Sequence, residues 1–177
     1  MHAPLHRSLA LTGARVVAEP LPGGGWELTH PEPLGATAHC VGEWIERWSV
    51  ERPDTVMIAE PAGEQVTYAD GRRRIGQLAQ GLLDRGLTST DTIVIVADNS
   101  VAHALLALAA MHIGVAVCTL APDWVRSPLD RERVAGVLDA LRPALIVGDT
   151  GLPLHELEQP TERATVVQRF AAVQRDT

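Results

Sequence analysis

The sequence contains no lysine, because all 15 of its basic residues are arginines. A mechanism that needs a lysine amine is therefore excluded within these 177 residues. The excluded mechanisms are Schiff-base catalysis, a phosphate-binding loop that ends in lysine, and a lysine that holds an acyl phosphate.

Cysteine and long apolar runs are also scarce. The 2 cysteines, Cys40 and Cys118, are too few for a disulfide framework, so we expect reduced thiols in a cytoplasmic protein. The most apolar stretch, residues 101–117, is interrupted by two histidines and a glycine and is shorter than a membrane span of ~18–20 residues. The N-terminus has no sustained apolar run, so neither a signal peptide nor a membrane partner is expected.

The sequence also lacks a strongly basic segment of any length. Its formal net charge is −7 and its isoelectric point is about 5.4. Only Arg72-Arg73-Arg74 is locally basic, and this run falls on the surface of a predicted helix. Because nucleic-acid binding needs a basic face, no nucleic-acid partner is expected.

What is present is the composition of a soluble globular protein, with 46% apolar and 21% charged residues, and a length that fits one domain plus at most an appendage. Residues 1–38 are rich in proline and glycine, and two extended runs, 14–18 and 26–29, flank Pro22-Gly23-Gly24-Gly25. This pattern predicts a β-hairpin. It does not predict a phosphate-binding loop, because no helix follows the glycines.

The pattern becomes regular after residue 38. Apolar residues at helical spacing predict a helix over 40–51, and residues 55–59 and 65–68 are predicted to pair as strands. Thr67 with Asp70 predicts the start of the next helix, which Gly86 ends. The predicted buried face of that helix consists of Ile75, Leu78, Ala79, Leu82 and Leu83.

Three strands separated by helices are predicted next. The β-branched run 92–97 indicates a strand buried on both faces, followed by a helix over 100–112 and strands over 115–120 and 144–147. Ser127-Pro128-Leu129-Asp130 indicates the start of the intervening helix, whose buried residues would be Val134, Val137, Leu138 and Leu141. This order implies parallel pairing with right-handed crossovers.

The predicted fold class is therefore α/β, a partial doubly wound, mostly parallel sheet with flanking helices and an N-terminal β-hairpin. We expect a hairpin-bearing extension over 1–38, an α/β subdomain over 39–148, and a divergent tail over 149–177. Within the tail, a short amphipathic helix around Val166, Val167 and Phe170 is the element that the pattern favours.

Residues 34–122 carry an ordered set of short motifs. They are Leu34-Gly35 before a tryptophan-bearing helix, Val66-Thr67-Tyr68-Ala69-Asp70, Gly81-Leu82-Leu83-Asp84-Arg85-Gly86-Leu87, and a segment that opens with Asn99-Ser100 and closes with Ala110-Met111-His112-Ile113-Gly114. In this order they resemble the start of AMP-forming acyl-CoA synthetases, which belong to the ANL adenylate-forming superfamily. The resemblance covers about residues 14–148 and is closest to the feruloyl-CoA synthase branch.

The resemblance implies the incomplete N-terminal domain of an adenylate-forming enzyme. The parent reaction converts an aromatic or acyl carboxylate to its CoA thioester, and the complete enzyme uses ATP, Mg²⁺ and CoA. The family's phosphate loop ending in Pro-Lys, its Mg²⁺ and ribose acids and its C-terminal lysine have no counterpart here, and Ala121-Pro122-Asp123-Trp124 stands where Ser-Pro-Ala-Tyr is typical. We therefore expect a fragment that is inactive alone, with no catalytic, cofactor-binding or metal-binding residue.

Other candidate sites have simpler structural explanations. Asp149-Thr150-Gly151 matches the loop of aspartic proteases, but a turn after a strand suits the predicted α/β unit better. His103 and His112 lie nine residues apart on one predicted helix and do not share a face, so they lack metal-ligand spacing. His39-Cys40 and Cys118 are isolated in the sequence and indicate capping or buried side chains.

The remaining candidates are aromatic and acidic side chains. Trp44 and Trp48 are predicted to lie in the core, whereas Glu43, Glu46 and Glu51 are predicted to form a solvated helix face. Asp98 and Asp123 both follow predicted strand ends, where open α/β sheets bind ligands. The simpler role for Asp98 is that of a helix N-cap.

Two other functions stay open at this point. A non-catalytic interaction module would use exposed sheet edges and helix faces for self-association or for binding the remainder of a ligase. An independent doubly wound nucleotide-binding domain would need a glycine-rich turn after its first buried strand, and that turn is lacking.

Overall fold

A computed structural model describes residues 15–33 and 35–148, together with the backbone of residues 165–167. The chain divides into two compact units, Met1–Thr37 and Ala38–Thr177. The predictions made at Asp149-Thr150-Gly151, Leu34 and Phe170 concern residues outside the described part of the chain.

The first unit contains the predicted β-hairpin. Strand β1 (Val17–Pro20) pairs antiparallel with β2 (Trp26–Thr29), with Val17 opposite Thr29. The backbone reverses through Gly23, Gly24 and Gly25, whose φ angles of +101°, +98° and +96° lie in the region that favours glycine. A strand follows the glycines, which confirms their assignment to a turn. The predicted strand covered residues 14–18, whereas β1 runs from Val17 to Pro20.

The second unit begins with a helix, a hairpin and a second helix. These are α1 (Val41–Glu51), β3 (Val56–Ala59), β4 (Gln65–Thr67) and α2 (Tyr68–Asp84), and β3 and β4 are antiparallel. The hydroxyl of Thr67 accepts a hydrogen bond from the Asp70 N–H at 3.3 Å, so Thr67 is the N-cap of α2 as predicted. After α2, Gly86 takes a φ of +80°.

A parallel sheet forms the centre of the second unit. In chain order the elements are β5 (Thr92–Val96), α3 (Val101–His112), β6 (Ala116–Leu120), α4 (Pro122–Arg126), α5 (Arg131–Leu141), β7 (Leu145–Gly148) and β8 (Thr165–Val167). The strand order is β6-β5-β7-β8, and all three pairings are parallel. The predicted α/β class with a parallel sheet and flanking helices is confirmed.

Alternate residues of β5 belong to two different apolar clusters. Ile93 and Ile95 pack in a cluster with α2 and with α3 residues such as Leu106, whereas Val94 and Val96 pack with Leu138 of α5. All four β5 residues from Ile93 to Val96 have 0% exposed surface. Because successive side chains of a strand point to opposite faces, helices must cover both faces of this sheet.

Two details of the helices differ from the prediction. The last helix begins at Arg131 rather than at Pro128, and its N-cap Asp130 makes no side-chain capping hydrogen bond. The short helix α4 was not predicted, although it has a proline at its start and the acidic Asp123 in its first turn. The proline that stands at the start of a helix is therefore Pro122, whereas the prediction placed Pro128 in this role.

Some residues predicted to be buried are exposed. Leu83 is 45% exposed, because the buried stripe of α2 ends at Leu82 and Leu83 lies one helical step, about 100°, around the axis. In α1 only Ile45 is buried, while Trp44 is 37% exposed. The neighbouring elements cover only a narrow strip of α1, so the helical spacing of its apolar residues predicted more buried side chains than the structure has.

The predicted helix around Val166 and Val167 is wrong. Residues Thr165–Val167 form the short strand β8, which extends the sheet in parallel beside β7. The three β-branched side chains favour an extended backbone, and the free edge of β7 offers it hydrogen-bond partners. This segment therefore belongs to the sheet of the second unit.

Candidate functional site

The carboxyl ends of β5 and β6 define a candidate site. Because the strands are parallel, the segments that follow them, Asp98–Ser100 and Ala121–Asp123, emerge at the same edge of the sheet. A cleft of about 290 Å³ lies at this edge, and its lining includes Asp98, His103 and Thr119. This is the place where open α/β sheets bind ligands.

Two oxygens secure the start of α3 beside this cleft. The Ser100 hydroxyl accepts a hydrogen bond from the His103 N–H at 3.1 Å, so Ser100, and not Asp98, is the N-cap. A Glu60 carboxylate oxygen accepts a second one from the Val101 N–H at 2.8 Å. Glu60 belongs to the turn after β3, so a tertiary contact completes the capping of α3.

The imidazole of His103 lies between the two ends of the Asp98–Ser100 connection. Its Nδ1 is 3.3 Å from the Asp98 carbonyl oxygen. When Nδ1 carries the proton and donates it to this carbonyl, Nε2 is the ring nitrogen that retains a lone pair in the neutral imidazole. His103 is thereby placed to accept a hydrogen bond from a ligand.

Two of the arginines that follow β6 are paired with an acid. Arg126 contacts Asp123 at 3.2 Å, and Arg133 contacts Asp130 at 3.3 Å. The Arg133 guanidinium also lies 5.3 Å from the centroid of the Trp124 ring. Asp123 is therefore placed in an ion pair rather than in the lining of the cleft.

The predicted basic run on α2 is also neutralised. Arg72 contacts Glu46 at 3.0 Å, Arg73 contacts Asp70, and Arg74 contacts both Glu64 and Asp70. Each guanidinium thus has an acidic partner on its own helix or on a neighbouring element. A solvated, ion-paired surface explains Arg72-Arg73-Arg74 without a phosphate ligand.

The remaining histidine and cysteine candidates lie apart from the candidate site. His112 is at the other end of α3 from His103, where a Cβ at Gly42 would lie 3.3 Å from the His112 Nδ1 and 3.5 Å from the Cys40 Sγ. Cys118 lies within β6, where burial raises the pKa of its thiol. Within the described ranges, no group of three or more histidine, cysteine or acidic residues could hold a metal ion.

His39 and Glu43 form an exposed pair at the start of α1. The backbone N–H of His39 donates to Glu43 at 3.1 Å, and its ring Nδ1 lies 3.0 Å from the other carboxylate oxygen. These contacts, the backbone N–H foremost and the side-chain contact after it, lower the pKa of Glu43. Glu43 therefore holds His39 at the beginning of α1.

The aromatic side chains of α1 form a partly exposed stack. The Trp44 and Trp48 ring centroids are 5.0 Å apart, and the Trp48 centroid is 5.4 Å from that of Tyr68 in α2. This stack joins the two helices along one edge. No helix in the described part of the chain is long and apolar enough to cross a membrane.

The family model of the AMP-binding enzyme matches residues 45–177 of the sequence. This chain belongs to the AMP-binding enzyme family. The resemblance to adenylate-forming enzymes is confirmed at this level. The sheet edge at Asp98–Ser100 and helix α3 fall inside the matched region, as does the segment 149–177, for which we expected a divergent tail.

Two curated proteins are similar to this AMP-binding chain. One is named as the non-canonical nonribosomal peptide synthetase CymA of Salinispora arenicola, 29% identical over 141 residues, or 77% of this chain and 2% of that protein. The other is a dimodular nonribosomal peptide synthase of Bacillus subtilis, 27% identical over 116 residues, or 66% of this chain and 5% of that protein. The chain therefore spans a small fraction of the length of these relatives.

Solved structures share the fold. The luciferase-like enzyme of the mealworm Zophobas morio has a TM-score of 0.64 and 20% identity over 78% of this chain and 35% of that one. The N-terminal subdomain of Klebsiella oxytoca NpsA, in complex with 3-hydroxybenzoyl-AMSN, has a TM-score of 0.60 and 20% identity over 76% of this chain and 31% of that one. The parallel sheet with flanking helices matches N-terminal subdomains of adenylate-forming enzymes.

Sequence reasoning located the strand ends but missed the contact of Glu60 with Val101. The two residues are 41 positions apart, so no local pattern joins them. The N-cap, in contrast, had a local signal, because Ser100 stands at the start of the predicted helix and serine is a preferred capping residue. Choosing among Asp98, Asn99 and Ser100 required the backbone geometry.

Proposed function

We propose that this chain forms the N-terminal part of a carboxylate-activating domain of the feruloyl-CoA synthase type, and that these 177 residues do not activate a carboxylate by themselves. The complete reaction has two steps. A carboxylate attacks the α-phosphate of ATP and releases pyrophosphate, and the thiol of CoA then displaces AMP to give the thioester. The family match over residues 45–177 and the motifs over 34–122 support this proposal.

The described residues at the sheet edge do not fit a triphosphate. Among them, Asp98 is the acidic residue that lines the cleft, and no arginine belongs to that lining. Adenylation joins two anions, so it needs backbone N–H donors, a metal ion or cations at the reacting centre. The lack of an arginine among the described lining residues is the observation that carries the proposal that the chain is a scaffold, and no step of the reaction is assigned to this cleft.

An aromatic acid is the proposed substrate class of the complete enzyme. The resemblance to feruloyl-CoA synthase favours it, and so does the fold shared with NpsA, which is named in complex with an aromatic acyl-AMSN. The shared fold also includes a protein named as a long-chain-fatty-acid CoA ligase of Rhodopseudomonas palustris, with a TM-score of 0.62. Fatty acids are therefore the competing substrate class.

We also infer a cytoplasmic location, since both cysteines are free thiols.

A fusion protein tests the substrate class. The chain would be joined to the phosphate loop, remaining strands and C-terminal domain of a feruloyl-CoA synthase, and ATP–pyrophosphate exchange would be measured with ferulate and with a fatty acid. We expect exchange with ferulate only. A folded fusion that exchanges with the fatty acid only, or with neither acid, contradicts the proposal. Circular dichroism of the fusion establishes that it is folded.

An interaction module is the second candidate function, because of the edge strand β6. Among the residues that the structure describes, β6 pairs only with β5, and its other edge carries no charged side chain. Exposed, uncharged strand edges pair with other chains. Light scattering over a concentration series tests this: a mass that rises with concentration, and that Thr119→Lys returns to the monomer value, supports the module. A constant monomer mass contradicts it.

A further inference from the structure

A second cleft lies on the hairpin side of α3. It has a volume of about 400 Å³, opens to solvent, and is lined by the end of β3, the turn after it, and the first half of α3. This volume is within the range of small-molecule pockets, about 300–1,000 Å³. None of the functions considered above uses this cleft.

The base of the cleft is apolar. Ile58 contributes from β3, and Ala104 and Ala107 contribute from α3. The two alanines lie three residues apart on one helix face, and their small side chains leave the space that larger residues would fill. The apolar base suits the hydrocarbon body of a ligand.

The rim of the cleft supplies hydrogen-bond acceptors. Glu60 lines the cleft, and an ionised carboxylate can only accept hydrogen bonds. One of its oxygens accepts a hydrogen bond from the Val101 N–H at 2.8 Å. His103 lines it as well, and its Nδ1 is directed to the Asp98 carbonyl, which leaves Nε2 as an acceptor. A ligand that donates hydrogen bonds satisfies both groups.

Within the described part of the chain, no cationic side chain is paired with Glu60, whose partner is the Val101 N–H at the start of α3. Its described contacts include no ion pair, and Arg74 of α2, which reaches the hairpin, contacts the carboxylate of Glu64 instead. A half-buried carboxylate beside apolar surface gains from a cationic partner. The sequence has no lysine, so no ammonium group of this chain's side chains can serve.

We propose that this cleft binds a small organic ammonium ion, with its apolar body against Ile58, Ala104 and Ala107 and its ammonium group between Glu60 and His103. The ammonium donates hydrogen bonds to both acceptors, and the charge-assisted contact with Glu60 provides the selectivity. Anions are disfavoured by the carboxylate. The proposal does not depend on carboxylate activation, because it involves no nucleotide and its charged group, Glu60, lies outside the lining of the sheet-edge cleft, although His103 lines both clefts.

Calorimetric titration of the full chain with benzylammonium tests the proposal. Benzyl alcohol, which has the same ring but no charge, and benzoate, which has the opposite charge, are the matched ligands. We expect benzylammonium to bind at least about tenfold more tightly than either. Glu60→Gln keeps an oxygen for the Val101 N–H but removes the charge, so it should weaken benzylammonium binding by about tenfold or more.

Two further variants separate the site from general effects on the fold. Glu64→Gln removes a carboxylate from the same hairpin outside the cleft and should leave the affinity unchanged. Ala104→Leu fills the cleft and should abolish binding while circular dichroism stays that of the parent chain. Equal binding of benzyl alcohol, full binding by Glu60→Gln, or no binding of benzylammonium overturns the proposal. Binding of a lysine-containing peptide without binding of benzylammonium also overturns it.

Discussion

The carboxylate of Glu60 accepts a hydrogen bond from the backbone N–H of Val101 at 2.8 Å, which joins the β3–β4 turn to the first turn of α3. The first N–H groups of a helix have no partner within the helix. Ser100 satisfies one of them locally, and Glu60 satisfies another from 41 residues away. The hairpin is thus attached to the helix that leads from the central strand to β6.

Removing this contact should destabilise the fold. We expect Glu60→Ala to lower the free energy of unfolding by about 1–2 kcal/mol, because it leaves a helical N–H without its acceptor. Glu60→Gln should cost less, since its amide oxygen still accepts the bond. Urea unfolding of both variants measures the difference, with Glu64→Ala as the surface ion-pair control, expected to cost about 0–1 kcal/mol. Equal stability of Glu60→Ala and the parent chain would contradict the contact.

Adjacent leucines of α2 provide a matched pair for the buried face. Leu82 is 0% exposed and Leu83 is 45% exposed. We expect Leu82→Ala to lower the free energy of unfolding by about 2–5 kcal/mol, because it leaves a cavity in the core. Leu83→Ala should cost less than about 1 kcal/mol, because its side chain is already partly in water. Chemical denaturation of both variants measures the two free energies of unfolding. A larger effect at Leu83 would show that α2 turns Leu83, and not Leu82, toward the core.

The source of the lowered pKa of Glu43 can be isolated by substitution. The backbone N–H of His39 is the first cause, so His39→Ala should leave the pKa of Glu43 largely lowered, whereas His39→Pro, which has no N–H, should return it toward its ordinary value. Carboxyl carbon NMR titration measures both. Complete recovery of the ordinary pKa in His39→Ala would show that the imidazole, and not the backbone, is responsible.

The same pair has a defined pH dependence. Because the folded pKa of Glu43 lies below the ordinary value of 4.5, its contribution to stability is present above that value and is lost as the pH falls through the folded pKa. Acid unfolding of Glu43→Gln, compared with the parent chain, should therefore differ above pH 4.5 and converge at lower pH. Curves that diverge as the pH falls would contradict this sign.

The two thiols should react at different rates. Burial raises the pKa of Cys118, whereas Cys40 is exposed at the N-cap of α1. The thiolate is the reactive form, so iodoacetamide should alkylate Cys40 faster than Cys118 in the folded protein. Peptide mass spectrometry follows each site, and the two rates should become similar in urea. Faster alkylation of Cys118 in the folded chain would contradict its placement in β6.

The parallel sheet could be predicted because its signals are local. The β-branched run at 92–97 and the glycine at Gly114 mark strand and helix ends without reference to distant residues. The exposure of Leu83 and Trp44 could not be predicted, since it depends on how much of each helix its neighbours cover. Strand β8 was missed because its pairing with β7 is a tertiary contact, and three residues carry too little periodicity to oppose a helical reading.

The candidate site likewise has features that the sequence predicts and features that depend on the folded chain. The positions of Asp98 and Asp123 at strand ends followed from the sequence, whereas the N-cap at Ser100 and the Asp123–Arg126 ion pair required the backbone conformation. The cleft between the hairpin and α3 had no signal in the sequence, because its residues come from segments about 40 positions apart that meet only in the folded chain.

The scaffold role is tested most directly by ATP–pyrophosphate exchange with the purified 177-residue chain, in the presence and absence of ferulate and with Mg²⁺. The chain has no lysine, and no arginine is among the described residues that line the Asp98 cleft, so we expect no cationic stabilisation of the reacting phosphate there. We predict that ferulate does not raise exchange above the rate of the acid-free reaction. Exchange that depends on ferulate and co-purifies with the chain through successive columns would contradict the account.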